Sequence, residues 1–550
     1  MSASDKKKLR KEQKAAALTE KQQKEQKEAK KLKIYTLTFA VVMILVVAIV
    51  IGVVVKSPIN SAINRNTHAI TFGEHELSTA DFNYYYISAI NDHLENTYNS
   101  YYSSLGSYWA MFLGFNTGVA LDEQMYDEEK EITWAQHFVD QAIADAQQAY
   151  AIYELALKNN HKLTEDEEKA LNQLDANLAK DAASAGYSNT NDYLRITYGD
   201  GANAENYRTY YTVATYVASY TTAYADSLEY TDEEIRAFEK DKFLNYTNFD
   251  YCYYSVAIKD YYGEGTKDEN GKVTYTDQQK ADALAAAKKD ADALVAAKFK
   301  DAKKFDDAVK ALAVNKDNKN AACVQSKDVF YEDIPYEEIQ KWVSDESRKA
   351  NDVEAIPIIS KTGEGKDAKE ETVGYIVVLF QERDDCYTNL ISVRHMLAEF
   401  PYYWDANGKQ HLDESGKTKT KEKAEAWLKE WKEGKATEES FGELANKYSQ
   451  DGDGKSGGLY EDVYPGMMVE EFNDWCFDKD RKPGDTDIIE TEFGYHVMYF
   501  VETQEEDTFR DKMIKSDMIE KDVSEWLEKY TKELNVEQIN LKGLEWDIAV

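Results

Sequence analysis

His395 and His496 stand 101 residues apart, each inside an apolar run: Ile391-Ser392-Val393-Arg394-His395-Met396-Leu397 and Gly494-Tyr495-His496-Val497-Met498-Tyr499-Phe500. Runs of this kind form strands buried on both faces. On adjacent central strands the two imidazoles lie side by side, linked through hydrogen bonds with Thr491. Asp451 lies between the two histidines in sequence, in the loop Gln450-Asp451-Gly452-Asp453-Gly454. Met468 and Phe472, four residues apart, share one helical face and can grip an apolar ring. The chemistry is that of a dry pocket with a polar floor, which binds and positions a group without attacking it. The bland alternative for either histidine alone is a satisfied core imidazole. Ser/His/Asp hydrolysis is disfavoured, because none of the eight histidines stands beside a convincing nucleophile. Asp451-Gly452-Asp453-Gly454 with Glu461 and Asp462 hints at a calcium loop but lacks the remaining ligands of one, so no metal and no cofactor is assigned.

Between the histidine runs come Phe441 to Ser449, the Asp/Gly loop ending in Gly457-Gly458, and Gly466-Met467-Met468-Val469-Glu470-Glu471-Phe472; Thr491-Glu492-Phe493 leads into the second run. In that order the segments resemble the parvulin family of peptidyl-prolyl isomerases, over Asn389 to about Glu502. The resemblance implies a small twisted sheet with helices. It puts the catalytic residues at His395, Asp451, Thr491 and His496, and the proline pocket at Met468 and Phe472, with Phe493 beside it. The family has Asp-Leu-Gly after the double glycine, whereas here Leu459-Tyr460-Glu461 follows. The wall there falls to Leu459 or Tyr460, and we assign it to Leu459.

The stretch before this module repeats it. Pro335 to Trp342, with Asp345, Arg348, Lys349 and Asp352, parallels Met468 to Trp475, with Asp478, Arg481, Lys482 and Asp485, at a constant offset of 133. Val373-Gly374-Tyr375-Ile376 likewise parallels Phe493-Gly494-Tyr495-His496. Ile376 replaces the second histidine, and Phe249 to Ile258, the expected first strand, contains none. Residues 247–383 are therefore expected to be a degenerate, catalytically silent copy of the 389–503 module.

Residues 67–246 carry helical periodicity, with Trp134, Phe138, Ala142, Ala146 and Ala149 on one stripe and capping signals at Ser78 to Asp81, Thr164 to Glu167 and Thr231 to Glu234. This layout resembles the chaperone region of extracytoplasmic foldases of the PrsA and SurA type. Its many tyrosines, among them Tyr84 to Tyr86, Tyr101, Tyr102, Tyr210, Tyr211, Tyr216 and Tyr220, either hold unfolded segments or pack helix on helix. Asp507 to Leu534 is amphipathic and is expected, within a C-terminal segment 507–550, to pack back on this domain.

Residues 1–33 hold 12 Lys/Arg against 5 Asp/Glu, a charge of +7, so the rest of the chain carries −43 of the total −36. Residues 34–55 contain no charge, and at about 1.5 Å per residue they span roughly 33 Å, enough to cross a bilayer once. The basic side is cytoplasmic by the positive-inside rule. The expectation is a signal anchor, with a cleaved signal peptide as the alternative. An acidic exterior argues against nucleic acid. Cys252, Cys323, Cys386 and Cys476 show no metal spacing and are read as buried small hydrophobes, with pairing left open.

The fold class is thus α+β multidomain: a single N-terminal transmembrane helix, a helical chaperone-like domain, two parvulin-like α/β modules and a C-terminal helix. The expected partners are exported polypeptides with X-Pro bonds and the bilayer; a homodimer stays open. Two functions fit, an isomerase and foldase at the cell membrane, or a holdase whose two modules are only scaffolds.

Overall fold

The computed structural model describes residues 57–538, 540 and 541, apart from 268–272, 363–368, 406–409 and 453–455. The basic segment 1–33 and the apolar run 34–55 lie outside the described residues. Among the described residues, no helix is long and apolar enough to cross a membrane. The described residues divide into two compact units, one holding Tyr230–Ser516 and the other residues 57–229 together with those from Asp517 onward.

The Tyr230–Ser516 unit contains two four-stranded sheets with one topology. In space the second strand of each module comes first, then the first, fourth and third. In the first module these are Val324–Phe330, Asn248–Ala257, Lys369–Asp384 and Val353–Thr362; in the second, Leu459–Val463, Asn389–Glu399, Gly494–Thr508 and Thr486–Glu490. Every pairing is antiparallel. Two helices follow each first strand, Asp277–Ala296 and Ala302–Ala311 in one module, Lys417–Glu433 and Glu438–Tyr448 in the other. A short helix follows each second strand, Glu337–Val343 and Glu470–Cys476.

The central strands of the second module are covered on both faces, which is why they read as unbroken apolar runs. Met396, Ala398 and Val497 pack under Trp427, Trp431 and Phe441 on one face. Val393, Met498 and Phe500 pack under Phe472 and Trp475 on the other. The repeat extends to details of packing. The Arg481 guanidinium lies 4.0 Å over the Trp475 ring and its Nε donates to the Trp475 carbonyl at 3.0 Å; Arg348 does the same to Trp342 at 4.2 and 3.0 Å. The site positions, by contrast, are replaced. Tyr253 faces Val378 in the register where His395 faces Met498, and Ile376 is buried in the apolar cluster of the first module with Ile339.

Arg510 ties this unit together. Its side chain is fully buried, with Nε donating to Glu239 Oε2 at 2.7 Å, one terminal nitrogen to the carbonyls of Tyr246 and Asp385 at 2.8 and 3.2 Å, and the other to the Phe243 carbonyl at 2.8 Å. One guanidinium thereby joins the lead-in to the first module, the link between modules and the segment after the second. Four hydrogen bonds, one of them to a carboxylate, offset the cost of burying this charge.

In the other unit Ser78 and Thr164 open Thr79–Leu105 and Glu165–Ser184 with reciprocal capping boxes; Thr231 does the same for Asp232–Glu239 in the Tyr230–Ser516 unit. Trp134, Phe138, Ala142 and Ala146 are buried on Trp134–Lys158. Trp526 stacks on Tyr224 at 4.4 Å, and Gln147 donates to the carbonyls of Thr531 and Leu534. Val536–Gln538 pairs with His68–Phe72. The tyrosines divide between two roles: Tyr84, Tyr85 and Tyr86 are core residues, whereas Tyr101 and Tyr102 are exposed. All four cysteines are buried free thiols.

Replacing Arg510 by Ala leaves three carbonyls without their donor and Glu239 with Arg236 alone, and we expect a loss of about 1–3 kcal/mol, read as a lowered urea midpoint. The Glu239→Gln/Arg510→Met double variant is expected to lose less than the single one.

Candidate functional site

The sheet register sets the imidazoles on one face. His395 pairs with Met498 and Leu397 with His496, so the two rings are diagonal neighbours on adjacent antiparallel strands. Their Nδ1 atoms are 3.0 Å apart. Thr491 Oγ1 is 2.8 Å from His496 Nε2 and accepts from the Phe493 N–H at 3.2 Å. His395 Nε2 is 2.9 Å from Asp451 Oδ2, which also accepts from the Tyr460 hydroxyl at 2.6 Å.

These contacts admit one consistent set of neutral tautomers. A carboxylate only accepts, so His395 carries its proton on Nε2 and its Nδ1 must accept. His496 then donates from Nδ1, and its Nε2 accepts from the Thr491 hydroxyl. Every proton in the row therefore points toward Asp451. Burial and the neighbouring His395 depress His496 to about 3, so it is neutral at ordinary pH. Asp451 is pushed up by burial, but the hydrogen bonds donated by His395 and by the Tyr460 hydroxyl outweigh this and hold its carboxyl well below the usual range.

The loop that brings Asp451 here is fixed by backbone contacts to the first strand. Gln450 N–H donates to the Leu397 carbonyl at 2.9 Å, and Leu397 N–H to Ser449 Oγ at 3.1 Å. Arg394, one residue from His395 and on the opposite face, donates to Glu438 and to the carbonyls of Ser456 and Gly457. The double glycine is required by proximity as well as by turn shape: Gly458 has φ +65° and a Cβ there would lie 2.1 Å from the His395 carbonyl oxygen.

Above the floor, the Phe472 ring meets His395 and His496 edge-on, with centroids 5.4 and 5.6 Å away. Phe472 is almost fully buried, and Met468 packs beside it in the same apolar cluster as Tyr460 and Met498. Sequence assignment of the wall to Leu459 is corrected. Leu459 pairs with Arg394 and Tyr460 with Val393, so alternation sends Leu459 to the far face and Tyr460 to the face of the imidazoles. Tyr460, which lies 5.0 Å from the His395 ring, is the site residue. Phe493 stands at the turn between Thr491 and Gly494 and is 40% exposed.

Sequence reasoning overlooked the hairpin of Tyr402–Trp404 and Gln410–Leu412, inserted after the first strand. Asn407-Gly408 between those segments is the signal that could have revealed it. Tyr402 anchors it to the site by donating to the Glu492 carbonyl at 2.7 Å.

With this geometry in view, residues 386–504 match the family model of the PPIC-type PPIase domain. A 102-residue stretch is 34% identical to Foldase protein PrsA 1 of Bacillus cereus, covering 18% of this chain and 35% of that protein. The chain thus spans about a third of the length of that curated relative. Among solved structures it is similar to the peptidylprolyl isomerase PrsA of Bacillus anthracis, with 21% identity, 27% of this chain and 59% of that one covered, and a TM-score of 0.17. It is also similar to PrsA of Bacillus subtilis, with 14% identity, 73% and 87% covered, and a TM-score of 0.24.

The depressed His496 has a stability consequence. Between about pH 6.5, where a free histidine protonates, and pH 3, where His496 does in the folded protein, only the unfolded chain takes up this proton. Stability therefore rises with pH across that window and is level, for this group, above it. Replacing His496 by Gln is expected to flatten the slope of unfolding free energy against pH by about 1.4 kcal/mol per unit there, as measured by denaturant titrations of both proteins from pH 4 to 6.

Proposed function

We propose, from a chain whose residues 386–504 form a parvulin-type domain, that this protein is an extracytoplasmic foldase that isomerises X-Pro bonds of exported polypeptides. The 22-residue uncharged run behind a basic segment supports attachment to the cell membrane with the bulk of the chain outside. The observation that carries the catalytic reading is the continuous row Thr491–His496–His395–Asp451–Tyr460 lying beneath Phe472 and Met468.

Rotation about X-Pro must break amide resonance against a barrier near 18–20 kcal/mol. The planar amide holds partial negative charge on oxygen, which the twisted amide lacks. An apolar pocket around the ring and an ionised Asp451 at its lip therefore disfavour the planar forms relative to the twisted one, which lowers the barrier. No covalent intermediate is needed. The imidazoles act as a fixed floor: His496 holds Thr491 and His395 in place, and His395 orients Asp451.

A holdase reading is favoured by a separate observation. Tyr102, Tyr108, Met111 and Phe112 are all exposed close together in sequence on the helical unit, and apolar patches of this kind mark interaction surfaces. Holding and isomerising are compatible in one chain.

The test is a protease-coupled isomerisation assay with the full chain. Met468→Ala and Asp451→Ala are each expected to lower kcat/KM by about ten- to a hundredfold, whereas Tyr253→Phe in the first module leaves it unchanged. A wild-type rate equal to the uncatalysed one would remove the enzyme reading and leave the holdase.

A further inference from the structure

The inserted hairpin presents aromatic side chains to solvent beside the site. Trp404 is 67% and Tyr403 55% exposed, although rings of this size are the ones a fold normally covers. Their position is fixed by two contacts that run into the site. The Tyr402 hydroxyl bonds the Glu492 carbonyl, and the neighbouring Thr491 hydroxyl is the first member of the hydrogen-bonded row. The Phe400 N–H, at the base of the hairpin, donates to the Phe493 carbonyl at 2.9 Å. Phe493 is thus continuous with the hairpin on one side and with Thr491 on the other.

The strip is rich in carboxylates, and two of them lack a cation. Glu399 and Glu492 are exposed and make no salt bridge among the described residues, while Asp405 is hydrogen-bonded to His411 at 2.9 Å and Glu490 pairs with Lys417 at 2.6 Å. Exposed rings next to unmatched carboxylates suit a ligand that brings both apolar surface and cations, since Lys and Arg stack on aromatic faces and pair with carboxylates.

We infer that Tyr403, Trp404 and Phe493 form an extension of the isomerase site that selects unfolded segments in which aromatic and Lys/Arg residues lie a few positions from the proline. This rests on the isomerase reading for its catalytic consequence, but the binding surface stands on its own. Residues of the substrate beyond the proline would lie over the hairpin, so the selection appears in KM more than in kcat.

Two peptides of equal length with the same central Ala-Pro test it on the full chain, one flanked by Trp and Arg, the other by Gly and Ser. The wild type is expected to favour the first by about five- to tenfold in kcat/KM, through KM. Tyr403→Ala/Trp404→Ala is expected to abolish the preference, and Tyr403→Phe/Trp404→Phe to keep it. A labelled version of the first peptide with Ala in place of Pro, which cannot be isomerised, is expected to bind the wild type by fluorescence anisotropy and to lose binding to the alanine double variant. Equal kcat/KM for the two peptides, or anisotropy that the double variant does not change, overturns the inference. A wild type that binds the Ala peptide through the hairpin yet isomerises neither substrate overturns the isomerase reading and supports this one.

Discussion

The contact on which the site depends is the hydrogen bond between two imidazole Nδ1 atoms inside a water-poor sheet. Two histidines can share a dry face only if one donates and the other accepts, and if each remaining nitrogen finds a partner. Thr491 and Asp451 supply those partners at opposite ends. The requirement then propagates outward. Thr491 must sit at the turn before the last strand, and Asp451 must be carried by a loop laid against Leu397, which in turn calls for Gly458 where no side chain fits.

The first module makes the same point by its differences. It keeps the strand order, the short helix and the Trp–Arg stack, yet Tyr253, Ile376 and Ile339 occupy the site positions. Fold and site are thus separable: the scaffold survives the loss of its polar floor because apolar side chains fill the same space without needing partners.

Much of this was legible in the sequence, for local reasons. Continuous apolar strands, capping signals at Ser78, Thr164 and Thr231, and the Met468/Phe472 spacing all depend on residues close in the chain. The pairing of His395 with His496 was readable because five separate segments fell in order. What was not readable depended on register or on distance. Choosing between Leu459 and Tyr460 needs the strand pairing, since one residue of slip reverses the face. Arg510 looks like the solvent side of an amphipathic helix, and only the tertiary fold shows that Glu239 and three carbonyls await it. The hairpin was hidden because its exposed aromatics mimic a buried run.

The partner of the Asn389–Glu399 strand that carries the second imidazole begins at Gly494. During synthesis the first of these strands is made about a hundred residues before the other, and Ile391, Val393 and Met396 have no neighbour on that side in the interval. The strand that carries His395 therefore passes through an interval of vulnerability, in which its apolar residues need shelter until the sequence distant from it has been made.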